Sequence, residues 1–383
     1  MAAPTAPTTL THATLAQALL QAVRAQPWHE ARDRRRGGAP FTHPPSLDLA
    51  VAVFPRQGAP AWANVLFSRE WPQGIVAQID ARAGAVSNIA YLADVVDAAG
   101  TSIAWQPGSD WQSISFQTLY GDGPQRFVAP YPASVIKLMV VVGVARLVAD
   151  GSTSWHERWT HGGQTRRVAD WCEPMITLSS NEATSALVAL LHDRGLIRRE
   201  GPPGADREVH NGLHTLLAQQ GLGTLRLANT RPSGGWGNRD GAGVGQLQMT
   251  AWDTLRLLWR LQPTPAPWLP DGAAPLLPDS GREQVMAWLA AQQLNQVLST
   301  SSLRHLPDWR AGIAGPFAHK TGTTESYAAD AGRVELPDGG HCLIALTSSL
   351  GSCCAPHPDA ACDWRIAQLG AAVEQWVATA RAA

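Results

Sequence analysis

The chain spends 28 arginines on its basic charge and only two lysines, Lys137 and Lys320. Arginine keeps its proton in any protein environment, whereas a desolvated lysine can lose it and act as a base. Ser134 stands three residues before Lys137, ahead of the apolar run Leu138, Met139, Val140, Val141, Val142. On a helix that spacing puts hydroxyl and amine on one face. An apolar surround disfavours the ammonium form, and a neutral lysine is a competent base for a serine nucleophile. Ser134 also falls near the helix start, where free backbone N–H groups and the positive dipole end favour a developing oxyanion. Lys320 opens Lys320, Thr321, Gly322, Thr323, Thr324 ahead of a β-type run, and Ser179, Ser180, Asn181 lie between the two lysines. Ser-x-x-Lys together with Lys-Thr-Gly arises by chance on the order of once in a thousand, before the Ser-x-Asn is counted.

These residues need elements to hold them. A first helix carries Leu15, Leu19, Leu20 and Val23 on one face, capped by Thr11. β-type runs follow at 47–53, 74–80 and 111–119. From 134 to about 298 the apolar spacing is helical, in segments near 134–149, 175–191, 211–220, 251–261 and 282–298. Gly- and Pro-rich loops at 200–205, 231–245 and 263–278 separate them. The β pattern returns at 326–336 and 341–347, joined by Pro337, Asp338, Gly339 and Gly340 as a hairpin. A last helix carries Trp364, Ile366, Leu369, Val373, Trp376 and Val377. The pattern predicts an α+β chain: a sheet domain built from 1–129 and 312–383, with an all-helical domain, 130–311, inserted. The site is expected at their junction.

Composition excludes several alternatives. The 383 residues are 45% hydrophobic, 16% charged and carry a formal net charge of −1, so no global field draws nucleic acid or an anionic membrane. The basic run at 32–36 contains Asp33 and reads as a solvated loop. No stretch of 18 apolar residues is present. The N-terminus lacks the basic start and apolar centre of a secretory signal, which leaves a cytoplasmic chain or one whose leader has been removed. Five cysteines, Cys172, Cys342, Cys353, Cys354 and Cys362, leave one unpaired. The last three share a loop with His357 without a Cys-x-x-Cys pair, so ordinary packing or one local disulfide is expected rather than zinc. His210 and His214 have helical i, i+4 spacing but no intervening glutamate, which argues against a zinc protease helix. The glycines at 234, 235, 237, 241, 243 and 245 neither follow a strand nor precede Gly-Lys-Ser/Thr, so no phosphate loop is expected. Of the sixteen tryptophans, several of them beside the motifs (Trp171, Trp236, Trp252), most belong to the core and one or two line a cleft.

The three motifs, in this order, resemble the class A β-lactamase and penicillin-binding serine acyltransferase superfamily, whose signatures are Ser-x-x-Lys, Ser-Asp-Asn and Lys-Thr-Gly. The resemblance covers roughly residues 110 to 383. It implies a β-lactamase-like antiparallel sheet flanked by terminal helices, with no metal and no organic cofactor. By the same resemblance Ser134 is the acylated nucleophile, Lys137 its base partner, and Ser179 the donor to the leaving nitrogen. Asn181 would bond a substrate amide carbonyl and help fix Lys137. Lys320, Thr321 and Thr323 would meet a substrate carboxylate beside Gly322, and the backbone N–H groups of Ser134 and Thr323 would form the oxyanion hole. A periplasmic or secreted location also follows from the family. The implied partner is a small-molecule β-lactam or a cell-wall peptide.

Two departures matter. Ser180 replaces the family's aspartate, a position that mostly supports structure. The stretch Leu225 to Ser233 carries Arg231 where class A enzymes place the glutamate that activates the deacylating water. The nearest downstream acid is Asp240. Acylation is therefore expected, and fast deacylation is not. The reading is a β-lactamase-like serine hydrolase. The alternatives are a D,D-peptidase of peptidoglycan and a degenerate domain that binds such ligands without turnover.

Overall fold

The structure is a computed structural model. Residues 9–41, 43–93, 95, 113–202, 205–236, 247–262, 275–306 and 309–382 are described. The alternating run near residue 50 forms strand β1 (Leu47–Phe54), buried except at Phe54. Around it a six-stranded sheet contains β2 (Ala61–Phe67), β3 (Ile75–Val76), β4 (Phe317–Thr323), β5 (Ala328–Glu335) and β6 (His341–Ser348). Their order is β4-β5-β6-β1-β2-β3, with every pair antiparallel. Leu47 pairs with Ser348 and Val53 with Cys342, so strands nearly 300 residues apart in sequence form the centre.

Both faces of the sheet are covered. On one, α1 (His12–Arg24) and α8 (Trp364–Thr379) bury Leu15, Leu19, Val23, Ile366 and Leu369 against Leu49, Val51 and Ile344. The helix start at Thr11 is a complete capping box: its side chain accepts from Thr14 N, and the Thr14 hydroxyl accepts from the Thr11 backbone. On the other face lie α2 (Lys137–Ala149), α3 (Val168–Thr177), α4 (Asn181–Asp193), α5 (Gly212–Gln219), α6 (Ala251–Leu261) and α7 (Asp279–Ala290). Their apolar sides form one core with Ala50, Ala52, Ala329, Ala331, Leu343 and Ala345 of the sheet. Asp48 fastens the two layers, accepting the backbone N–H of Ala251 at 2.9 Å and the Asn64 amide at 2.7 Å. The architecture is α+β, with the helical layer inserted between β3 and β4.

Several local readings shift. The run 175–191 is two helices, because Ser179 has φ +56° and Ser180 caps α4 through Ala183 N. Two hairpins punctuate the helical layer, Arg158–His161 with Gln164–Arg167 and Ile197–Glu200 with Arg207–Asn211. The run 74–80 yields only the two residues of β3, since Asp80 Oδ1 draws Arg82 N and Gly84 N into a turn. Of 111–119, Thr118–Tyr120 is the strand, flanking a small sheet with Ile89–Ala93 and Gln125–Ala129; residues 111 and 112 lie outside the described residues. The segment 282–298 ends its helix at Ala290. β2 had no sequence signal: it is buried at every position, so no polar alternation marks it. The 326–336 and 341–347 hairpin forms as expected.

Candidate active site

The turn that carries Ser134 is built locally. Ala133–Ile136 makes one 3₁₀ turn that leads straight into α2. Ala133 takes φ +48°, a left-handed conformation that costs a non-glycine residue of order 1–3 kcal/mol and persists only where its surroundings enforce it. Its effect is visible in burial: Ala133, Val135 and Ile136 are buried, whereas Ser134 between them is half-buried.

Lys137 is fully buried, and its Nζ lies 2.7 Å from Ser134 Oγ, 2.9 Å from the Ser179 carbonyl, 3.1 Å from Ser179 Oγ and 2.8 Å from Asn181 Oδ1. Four oxygens surround an amine that as a cation has three protons to donate. Burial pushes the Lys137 amine down to about 7. At neutral pH a large share of it is therefore an unprotonated base in contact with the serine hydroxyl.

The strained turn at Ser179 carries the second motif into the same place. Its positive φ breaks α3 from α4, so the Ser179 carbonyl and hydroxyl both face Lys137. Asn181, the first residue of α4, reaches the same amine while remaining exposed on its outer side.

The third motif lies within β4, an edge strand of the sheet, rather than before a strand. Lys320 is buried; its Nζ donates to Ser179 Oγ at 3.0 Å and to the Thr321 carbonyl at 2.7 Å. Burial and the neighbouring Lys137 lower its proton affinity well below that of a free lysine, and Asp330 acts in the opposite sense. Gly322 sits against the turn that carries Ser134. A Cβ there would fall 2.6 Å from Ser134 N and 2.6 Å from the Pro132 carbonyl, so only glycine allows the strand this close. Thr321 is buried and Thr323 half-buried at the strand's end. All three motifs thus meet around Ser179 Oγ.

A family model described as the Beta-lactamase enzyme family matches residues 128–377. The chain belongs to that family. No curated protein matches it in sequence. Among solved structures it is similar to the TLA-3 extended-spectrum beta-lactamase, with 11% identity, 96% of this chain and 99% of that chain covered, and a TM-score of 0.50. It is also similar to PBP-A, with 16% identity, 98% of each chain covered and a TM-score of 0.49. A beta-lactamase from Desulfarculus baarsii has 15% identity, 96% and 98% coverage and a TM-score of 0.48. At 11% identity, the likeness to the TLA-3 enzyme speaks for a shared fold alone.

Other sequence signals resolve differently. Arg231 is exposed on a turn closed by its own N–H to the Gly235 carbonyl. Asp240 and the glycines at 237, 241, 243 and 245 lie outside the described residues. Among the described residues, no carboxylate is hydrogen-bonded to Ser134 or Lys137. His210 is on a strand and His214 on α5, so they do not share a helix face; His214 Nε2 accepts Leu227 N at 2.8 Å, and burial pushes its pKa down to about 4. All five cysteines are free and buried, and no group of metal-ligating side chains forms among the described residues. Trp171 and Trp252 are core, and Trp236 packs against that core half-buried. No helix among the described residues is long and apolar enough to cross a membrane. Asp330 escaped the sequence reading: an acid in the apolar run Ala328, Ala329, Asp330, Ala331, it is buried and pairs with His319.

Proposed function

We propose that the chain is a serine hydrolase of the β-lactamase type, which forms an acyl-enzyme on Ser134 with β-lactams or related carboxylate-bearing amides. The observation that carries this reading is the 2.7 Å contact between Ser134 Oγ and a lysine amine whose proton affinity has fallen to about 7. Neutral Lys137 takes the hydroxyl proton as Ser134 attacks the amide carbonyl. The oxyanion forms between the backbone N–H groups of Ser134 and Thr323, which the missing Gly322 side chain lets approach. Ser179 Oγ, touching both amines, passes a proton from Lys137 to the leaving nitrogen. Lys320, with Thr321 and Thr323, receives the substrate carboxylate. Asn181 offers its amide N–H to a substrate carbonyl while its Oδ1 holds Lys137. β4 is the last strand of the sheet, a position that suits an extended, peptide-like substrate.

A second reading, a D,D-peptidase or slowly deacylating binder, draws support from the exposed position of Arg231 and from the lack, among the described residues, of a carboxylate bonded to Ser134 or Lys137. Rates with a chromogenic cephalosporin and with a peptide ending in D-Ala-D-Ala separate the two. The shared step is tested first: a fluorescent penicillin should label the wild type covalently and leave Ser134→Ala unlabelled. Equal labelling of the two would sink the nucleophile assignment.

A further inference from the structure

Two of the five cysteines touch. Cys353 and Cys354 are neighbours in sequence, both buried, and the 3₁₀ turn Ser352–Cys354 brings their Sγ atoms to 3.5 Å. The other three sit on separate elements, Cys172 within α3, Cys342 within β6 and Cys362 just before α8, and burial keeps each thiol neutral. Contact with the Cys353 sulfur, then burial, pushes the Cys354 thiol the same way, so Cys354 holds its proton.

The turn that holds this pair also holds the end of β4. Ser352 N donates to the Thr324 carbonyl at 2.9 Å, and Cys353 N to the Glu325 carbonyl at 3.0 Å. These acceptors lie in residues 324–327, the connection from β4 to β5, which begins directly after Thr323. Within it Thr324 N donates to the Tyr327 carbonyl at 2.9 Å, and Tyr327 N to Thr324 Oγ1 at 3.0 Å. The two turns are pressed together: a Cβ on Gly351 would fall 2.4 Å from the Thr324 carbonyl oxygen and 2.4 Å from Tyr327 N. A change of shape at 352–354 is therefore felt beside Thr323. Outside the pair runs the short segment 32–40, in contact with the turn. Its exposed Arg34 donates to the Ser352 carbonyl at 2.7 Å, and Arg35 to Ser326 Oγ at 2.9 Å. The basic run thus straps both turns, and a surface strap tied by so few bonds opens locally far more readily than the core.

We propose that Cys353 and Cys354 are a redox modification site, closed by a small-molecule disulfide into a vicinal disulfide that loosens the 324–327 turn and slows acylation at Ser134. The Cys353 thiolate attacks one sulfur of the oxidant, and the first thiol departs with the proton that Cys353 gave up. Cys354 then attacks the Cys353 sulfur of the mixed disulfide, and its proton leaves with the second thiol. Two protein thiols thus give two protons and two electrons to the one disulfide bond of the oxidant. Neighbouring Cα atoms are about 3.8 Å apart, closer than the roughly 4.4–6.8 Å that most disulfides span. Closure therefore reshapes the turn, and the bridge is readily reduced. Its effect on acylation rests on the reading of Ser134 above; the bridge itself does not.

Intact mass reads the site without substrate. The reduced wild type treated with dithiodipyridine should lose two hydrogens, mapped by digestion to a Cys353–Cys354 bridge, and regain them in dithiothreitol. Cys354→Ser, unable to close the ring, should instead keep one pyridylthio group on Cys353. Hydrogen exchange of the segment 317–327 should quicken in the oxidised protein and recover on reduction. Labelling by fluorescent penicillin should slow about 10- to 100-fold on oxidation, the scale of a displaced site group. Cys353→Ala/Cys354→Ala should label at one rate with and without the oxidant, and Cys353→Ser serves if the double variant does not fold. A wild type that stays unmodified, a bridge to any other cysteine, or penicillin labelling that is equally fast in the reduced and oxidised protein overturns the proposal. A wild type that closes the bridge and loosens the segment but takes no penicillin in either state would refute the acylation reading and leave the redox site standing.

Discussion

The two lysines come from regions built in opposite ways. Lys137 belongs to a helical turn, and its contact with Ser134 spans three residues. Lys320 belongs to an edge strand, and its contact with Ser179 spans 141. Both amines are buried and both lose proton affinity, yet their surroundings suit them to different work. The Lys137 amine touches a serine hydroxyl, and among the described residues no carboxylate bonds it. The Lys320 amine is held between the Thr321 carbonyl and the Ser179 hydroxyl within an edge strand. Burial alone makes neither a base nor a cation; the asymmetry lies in what else each amine faces.

The largest effect expected from this contrast is in how the two positions tolerate arginine. Arginine cannot give up its proton, so Lys137→Arg should lower penicillin acylation by up to about 10⁴-fold, the range of general-base catalysis. Lys320→Arg, keeping a cation for the carboxylate, should retain measurable acylation. Two equally harmless substitutions would break the comparison.

Next comes the lifetime of the ester. A positioned base for water is worth roughly 10²-fold or more, and Arg231 points to solvent. A penicillin adduct on Ser134, followed by intact mass after free drug is removed, should persist for minutes on that scale. Decay within seconds would place a base elsewhere, with Asp240 the first to replace.

A subtler change tests the fit between the regions. Gly322→Ala would set a methyl 2.6 Å from Ser134 N, displacing one oxyanion donor from the other. Acylation should fall about 10²-fold, with a thermal midpoint close to wild type if the strand yields locally. Wild-type acylation would show that the strand does not shape the oxyanion site.

The smallest effect is in pH dependence. Lys137 acts as a base only when deprotonated, so acylation should rise roughly tenfold per unit below about 7 and level off above it. A rate independent of pH between 5 and 8 would remove Lys137 from the proton transfer.

How much of this could be read beforehand depended on distance along the chain. The helix from Lys137, the cap at Thr11, the hairpin after Ser326 and the helix from Ala251 to Leu261 all carry their patterns within a few residues. Where burial was two-sided, as in β2, the pattern vanished with the polar face that would have shown it. The break at Ser179 was hidden because a positive φ on serine has no local signal; tertiary contacts, including the bond from Lys137 to its carbonyl, hold it there.

Sequence by itself determined which chemistry was available: a serine and a lysine on one helical face, with a Ser-x-Asn and a Lys-Thr-Gly farther along the chain. Only the tertiary structure decided that Ser179 Oγ stands between two amines and that Asp330 is buried in a pair with His319. The physical reason is that spacing within one turn or strand is set by backbone geometry. Proton distribution among distant groups depends on burial and on charges that meet only when the sheet and the helical layer close on each other.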